Sequence, residues 1–340
     1  MGSIDGKPPT MRDVARVARV STATVSRVVS GKLDKVTEDT AVRVNEVARE
    51  LGYTPSAIGQ SLRLSSSRIV AMMVPDATND FCADVGVSVE GSLREAGLSM
   101  VMMNSGEDPE RQDALLRDAE GLRPRAVVML GALDTPQLRA MAASRNIIFV
   151  NRRPPSGIDA PFVGIDNLAA GRAVARHFHD RDYRRIAVVH GPLSYSASRE
   201  RLTGLLEELE AQGVPADRVG CFEGSLTMQT GYDVGLAMCR SERRPDAVFC
   251  GNDMIAYGIH RALVENGMKV PGDVAICGFD DNRVNEWLAP WLTSVRIPAL
   301  EIGPAVRDLI TGRQKGERRE DVILPFQLMQ RDSTAPNAER

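Results

Sequence analysis

From residue 69 onward the chain alternates short apolar runs with amphipathic stretches, and this alternation limits the possible folds more than any other feature. The runs at 69–74, 99–103, 126–130, 147–150, 186–189, 247–250 and 274–277 read as strands. Between them, helical periodicity covers 87–95, 111–120, 169–178, 200–212, 230–239 and 254–265. Strand, helix, strand in repetition joins parallel strands by crossovers, so the body is expected to be a doubly wound α/β structure. At 340 residues the chain exceeds one typical core and divides into two or three domains.

In such sheets ligands bind beyond the carboxyl ends of the strands. The residues just after the expected strands are Asp76, Asn104, Asn151, Asn252 with Asp253, and Asp280 with Asp281. Oxygen and amide groups therefore converge where a small molecule would sit. Asp76 and Asn104 read first as turn formers, because their side chains bond readily to nearby backbone.

The first 63 residues have a different character. Thr10 and Asp13 open a helix as a capping box, and Val14, Val17 and Ala18 give it an apolar face. Ser21 caps a second helix whose inner face is Val25, Val28 and Val29, which leaves Thr22, Ala23, Ser26 and Arg27 facing outward. Thr37 caps a third, with Ala41, Val44, Ala48 and Leu51 as its buried stripe and Gly52 as its stop. Two short helices joined by a tight turn form a helix-turn-helix, whose second helix enters the major groove of DNA. This segment has ten Lys or Arg against seven Asp or Glu, a balance of +3, whereas the whole chain carries −3. A mildly basic headpiece on an acidic body fits phosphate contact at one end only. After the headpiece, Pro55 suits a first helical position and opens a short connector that runs to Arg63.

These segments resemble the LacI/GalR family of bacterial transcriptional regulators. The resemblance rests on Asp13-Val14-Ala15, Val20-Ser21, Thr24-Val25-Ser26-Arg27-Val28, Leu51-Gly52-Tyr53-Thr54-Pro55, Ser61-Leu62 and, near the far end, Arg331-Asp332-Ser333-Thr334. It implies a helix-turn-helix headpiece at 9–54, a hinge helix and linker at 55–64, and a body at 68–340 similar to periplasmic sugar-binding proteins. That body would have two doubly wound subdomains, one at 68–163 plus 295–325 and the other at 164–292 plus 327–334, with an effector between them. Thr22 and Ala23 would touch base edges, Arg27 a guanine or a phosphate, and Ser21, Thr37 and Ser56 backbone or phosphate groups. Leu62 would wedge into the central base step of a near-palindromic operator, paired with its twin in a homodimer. Phe81, Asn151, Arg201, Asn252, Asp253 and Asp280 would hold the effector. Paired carboxylate and guanidinium groups suit hydroxyls, so a sugar or sugar derivative is the expected ligand.

Four positions depart from the family pattern. Arg19 stands where a glycine often makes the inter-helix turn, and Gly59 where the hinge usually has alanine. Leu226 stands where an aromatic residue often packs on the effector, and Asn79-Asp80-Phe81-Cys82 keeps one aromatic of two. Trp287 and Trp291 are the residues available to compensate.

Other classes find less support. No P-loop, dinucleotide fingerprint, nucleophile elbow or zinc-protease motif is present, so an enzyme is not expected, nor is a cofactor. His177 and His179, two apart on a helix, point to different sides and do not form a metal pair. The five cysteines are scattered, without a C-x-x-C, and read as buried free thiols. No apolar stretch approaches the roughly 18 residues of a membrane helix, and the first ten residues lack the apolar core of an export signal, so the cytoplasm is the expected compartment. An exported solute-binding protein would share the body but not the headpiece. Control by a protein partner or a non-sugar metabolite is the alternative to a sugar effector.

Overall fold

The computed structural model describes residues 9–31, 33–53, 67–143, 146–312 and 320–336. They form two compact units divided between Arg68 and Ile69. The expected hinge, with Ser56, Gly59 and Leu62, lies outside the described residues.

The first unit contains α1 (Met11–Ala18), α2 (Thr22–Val29) and α3 (Glu38–Glu50) around a core of Val14, Ala15, Ala18, Val25, Val28, Ala41 and Val44. Asp13 accepts from the Thr10 backbone N–H at 2.9 Å and from its hydroxyl at 2.6 Å, so the threonine hydroxyl donates to the carboxylate. Val17, expected on the inner face, is exposed, because the buried stripe of α1 runs through Val14, Ala15 and Ala18 and leaves Val17 on its rim. Arg19 closes α1 at φ 54°, in the left-handed region that a glycine would occupy without strain. Arg43 Nε donates to the Ala18 carbonyl at 3.2 Å and ties α3 to the last turn of α1.

Among the described residues the second unit holds twelve strands: β1 (Ile69–Val74), β2 (Ser99–Asn104), β3 (Ala126–Leu130), β4 (Ile147–Val150), β5 (Phe162–Ile165), β6 (Ile186–His190), β7 (Val219–Glu223), β8 (Ala247–Cys250), β9 (Ala275–Asp280), β10 (Thr293–Arg296), β11 (Val322–Leu324) and β12 (Gln327–Met329). They form two six-stranded sheets, ordered β11-β5-β4-β3-β1-β2 and β12-β10-β9-β8-β6-β7. Every pairing is parallel except β10 with β12. The helices are α4 (Asp80–Glu95), α5 (Pro109–Leu122), α6 (Pro136–Ala142), α7 (Asn167–His179), α8 (Ser196–Ala211), α9 (Met228–Arg240), α10 (Asp253–Glu265), α11 (Asn285–Leu288) and α12 (Ala299–Thr311).

The chain crosses between the sheets three times: after β5, after β10, and between β11 and β12. The first two crossings fall slightly later than the sequence suggests. Phe162–Ile165 completes the first sheet, and Thr293–Arg296 lies in the second, with Arg296 opposite Asp280. Both are four-residue strands, too short to show a period. The Arg331-Asp332-Ser333-Thr334 segment fastens the end of the chain to the second sheet. Ser333 Oγ donates to the Ile276 carbonyl at 2.6 Å, and Thr334 Oγ1 bonds His177 Nε2 at 2.7 Å.

Among the described residues, no helix is long and apolar enough to cross a membrane, and no cluster of His, Cys, Asp or Glu fits a metal ion. The five cysteines are free; Cys82, Cys250 and Cys277 are buried, whereas Cys221 is exposed on the edge strand β7.

Candidate nucleic-acid interface and interlobe cleft

In the headpiece, Ser21 ends an extended segment and caps α2 by accepting from the Thr24 backbone N–H at 3.1 Å. Val25 and Val28 turn inward, so Thr22, Ala23 and Arg27 lie exposed on the opposite face. An α-helix with small residues and one Arg outward matches the major groove in width and can reach base edges. Thr37 occupies the cap position of α3, but its hydroxyl pairs with Thr40 Oγ1 at 2.9 Å and caps no backbone group.

In the body, the carboxyl ends of the strands face each other across a cleft. Arg201, on the first turns of α8, is buried beneath it. Its Nε donates to Asn167 Oδ1 at 2.8 Å, its Nη1 to the Gly251 carbonyl at 2.9 Å, and its Nη2 reaches Asn151 Oδ1 at 3.4 Å. The guanidinium lies 3.5 Å from the centre of the Phe279 ring, which fixes its plane. Burial lowers its pKa to about 10. α8 comes this close to α7 because Gly171 and Gly204 face each other's backbone; a Cβ at Gly204 would strike the Leu168 carbonyl.

Asp280 ends β9 at φ 99°, and Asp281 follows at φ 48°. Two successive non-glycine residues in the left-handed region turn the chain sharply and lift the Asp280 carboxyl into the cleft. That carboxyl is 8% exposed and accepts no hydrogen bond from the described residues. Burial raises its pKa to about 8, against the pull of Arg201. Phe81, at the start of α4, is buried and shares with Asp280 the lining of a cavity of about 360 Å³. Asn151 takes φ 64° at the end of β4.

Two of the expected effector residues turn out to be committed to the protein. Asn252 caps α10 through Ile255 N at 3.0 Å and donates to the Leu226 carbonyl at 3.1 Å. Asp253 does not reach the cleft. It is fully buried and accepts from Ser294 Oγ at 2.6 Å, Asn285 Nδ2 at 2.8 Å and Asn282 N at 2.9 Å. As the first residue of α10 it points inward, away from the strand end, and anchors the loop after Asp280. Asp76 and Asn104 form local turns, each accepting from a backbone N–H two residues on.

The structure also brings in residues that the sequence did not single out. Arg152 is buried, donating to Glu107 Oε1 at 2.6 Å and to the Gly131 carbonyl at 3.0 Å, and stacks 3.5 Å from the centre of the Tyr195 ring. Tyr195 OH donates to Glu107 Oε2 at 3.1 Å. Glu107 and Arg152 belong to one lobe and Tyr195 to the other, so this cluster spans the cleft, as do Arg153 N to Ser196 Oγ at 2.7 Å and Arg283 to Asp84 at 2.7 Å. Arg152 immediately follows Asn151, and Tyr195 ends the Gly191-Pro192-Leu193 loop; their position after a strand was the available signal. Neither tryptophan contributes. Trp287 is 83% exposed, and Trp291 stacks on His260 at 3.8 Å. The aromatic surfaces at the cleft are those of Phe81, Phe279 and Tyr195.

A two-lobed ligand-binding body with a helix-turn-helix headpiece defines a class of DNA-binding regulator, and comparison with known proteins places the chain within that class. The lacI family model of bacterial regulatory proteins matches residues 10–56, and that of a periplasmic binding protein-like domain matches 175–334. The HTH-type transcriptional repressor PurR of Vibrio atlanticus is 31% identical over 92% of this chain and 93% of its own. The ribose operon repressor of Escherichia coli K12 is 31% identical over 95% and 99%. A LacI-family transcriptional regulator from Silicibacter pomeroyi superposes with a TM-score of 0.83 at 28% identity, covering 96% of this chain and 99% of that one. The chain belongs to the lacI family of bacterial regulatory proteins and is a DNA-binding transcriptional repressor.

Proposed function

We propose that this repressor governs a carbohydrate-utilisation operon and that a neutral, polyhydroxylated small molecule, a sugar or sugar derivative, sets its operator affinity from the interlobe cleft. The observation that carries this reading is the Asp280 carboxyl group, buried and without a protein donor, next to the Arg201 guanidinium, whose Nη2 makes only a long contact. A carboxyl group that accepts and a guanidinium that donates match adjacent hydroxyls, and hydrogen bonds to a charged group such as the guanidinium contribute about 1.5–3 kcal/mol each. Phe81 and Asn151 approach from the other lobe. Asn252 and Asp253 act behind the surface, holding Leu226 and the loop after β9.

On the DNA side, Thr22 and Ala23 read base edges and Arg27 a guanine, while Ser21 and Thr37 sit at helix starts where backbone and phosphate contacts form. Two copies bind a near-palindromic operator as a homodimer in the bacterial cytoplasm. Effector and operator are linked through the relative arrangement of the two lobes, and the coupling is reciprocal.

The test is the melting shift of the full-length protein against pentoses, hexoses, sugar acids, sugar phosphates and nucleobases. A ligand at 100 times its Kd stabilises by about 2.7 kcal/mol. A sugar that stabilises the wild type but neither Arg201→Ala nor Asp280→Ala supports the reading. Silence across the sugars, or a shift that survives both substitutions, overturns it.

A further inference from the structure

The geometry points to Asn282 as a further effector contact, one that reads a hydroxyl on the side of the ligand beyond Asp280. This rests on the proposed sugar-binding role of the cleft and names a second polar subsite within it.

Asn282 stands two residues after Asp280. Its backbone N–H is fixed by Asp253 Oδ2 at 2.9 Å. Its side chain is 4% exposed, yet neither Oδ1 nor Nδ2 has a hydrogen-bond partner. Among the described residues it is the one side chain with two polar atoms shut off from solvent and making no hydrogen bond of good geometry. The neighbouring hydroxyl of Tyr257 gives its proton to Asn285 Oδ1 at 2.6 Å, so it offers Asn282 no donor, and the Asn282 amide is left only a weak donation to the Tyr257 oxygen. A buried amide left unbonded is costly, and folded proteins keep few of them without a use. Asn282 lines the same cavity of about 360 Å³ as Asp280 and Phe81.

An amide offers an acceptor and a donor side by side, which matches a hydroxyl that must do both. Beside the carboxyl group of Asp280, the amide distinguishes a ligand with hydroxyls at both places from one lacking the second. The buried ionic groups of the cavity rim are self-satisfied, since Arg296 and Arg331 hold Asp281 and Arg283 holds Asp84, while Glu286 and Glu301 are exposed to solvent. Asn282 is thus the polar group on that wall with unused capacity.

The experiment compares wild-type and Asn282→Leu full-length protein by calorimetric titration with whichever sugar of the panel shifts the wild type, and by melting without ligand. Leucine keeps the volume and removes both polar atoms. The expected result is at least a tenfold rise in Kd with an effector-free melting temperature that is unchanged or higher, because the empty protein loses at most a weak contact with Tyr257. Unchanged affinity overturns the inference. So does a fall in the effector-free melting temperature, which would mark an amide that the fold itself uses. A wild type that binds none of the sugars defeats the sugar reading and this inference with it, and the wild-type titration separates that failure from the other two.

Discussion

Asp280 shows how one residue carries both strain and function. Its carboxyl and that of Asp253 share the same end of the second sheet, and burial raises their pKa values to about 8 and about 7. Both lie above the 3.8 of a free aspartate, so between pH 4 and 8 these two groups hold protons in the folded protein that the unfolded chain releases. Stability therefore falls as pH rises through that window. Burial moves His177 the other way, to about 4, so it costs stability only below about pH 6.5. Between pH 6.5 and 8 the carboxyls are left to set the slope, each adding at most about 1.4 kcal/mol per pH unit. Thermal melts of the effector-free protein should show Tm falling across this window, and Asp280→Asn should flatten part of the fall. A wild-type Tm that is constant or rising would refute this account. Strand ends were legible in the sequence and so was Asp280, and the family resemblance marked Arg201, but the direction in which neighbours point was not legible. Asn252 and Asp253 were read alike, yet one caps a helix and the other faces the interior. Arg152, Tyr195 and Asn282 take their meaning from partners far along the chain, which no local pattern records.

Elements with a clear period were readable, and the exceptions have physical causes. β5, β10, β11 and β12 are three or four residues long, and β7 is an exposed edge strand without an apolar run. The helix α12 hides behind Pro304, a residue that would ordinarily end a helix by orphaning the carbonyl four residues earlier. Here that carbonyl, of Leu300, accepts from Ser88 Oγ on α4 at 2.7 Å, and Ser88 Oγ in turn accepts from Gly303 N at 3.1 Å. The hydroxyl repairs what the proline breaks and pins α12 to α4, which is possible because Gly303 has no Cβ to strike the Ser88 backbone. Replacing Ser88 by alanine leaves the Leu300 carbonyl without its partner at the helix contact. The expected cost is about 1–3 kcal/mol, read as a lower urea midpoint with an unchanged slope. Ser88→Thr, which keeps the hydroxyl, should recover part of it. An unaffected midpoint in Ser88→Ala would show that α12 tolerates its proline by other means.

At the scale of the whole molecule, the alternation of strand and helix disclosed a doubly wound body and the family resemblance its two lobes, but neither could show which surface the second copy covers. Helices α4, α11 and α12 leave Val87, Trp287, Leu288 and Leu300 between 61% and 83% exposed, a concentration of large apolar side chains unlike the rest of the body. Ser88 contacts α12 at Leu300, and Glu286 shares one cavity lining with Leu300 and another with Trp287, so these side chains belong to one region of the surface. Exposed apolar area on this scale marks an association site in a soluble protein. A repressor of a near-palindromic operator needs a twofold partner, and a self-complementary apolar face supplies one. Trp287→Glu places a charge in that face without touching the cleft, since Trp287 is 83% exposed. Sedimentation of the wild type at micromolar concentration should give dimers and the variant monomers, with operator affinity falling at least tenfold while sugar binding by the cleft stays within twofold. Dimers that survive the substitution would move the interface elsewhere. Loss of sugar binding along with dimerisation would mean that the cleft is completed only by the partner subunit, a stronger coupling between assembly and effector than two independent sites allow.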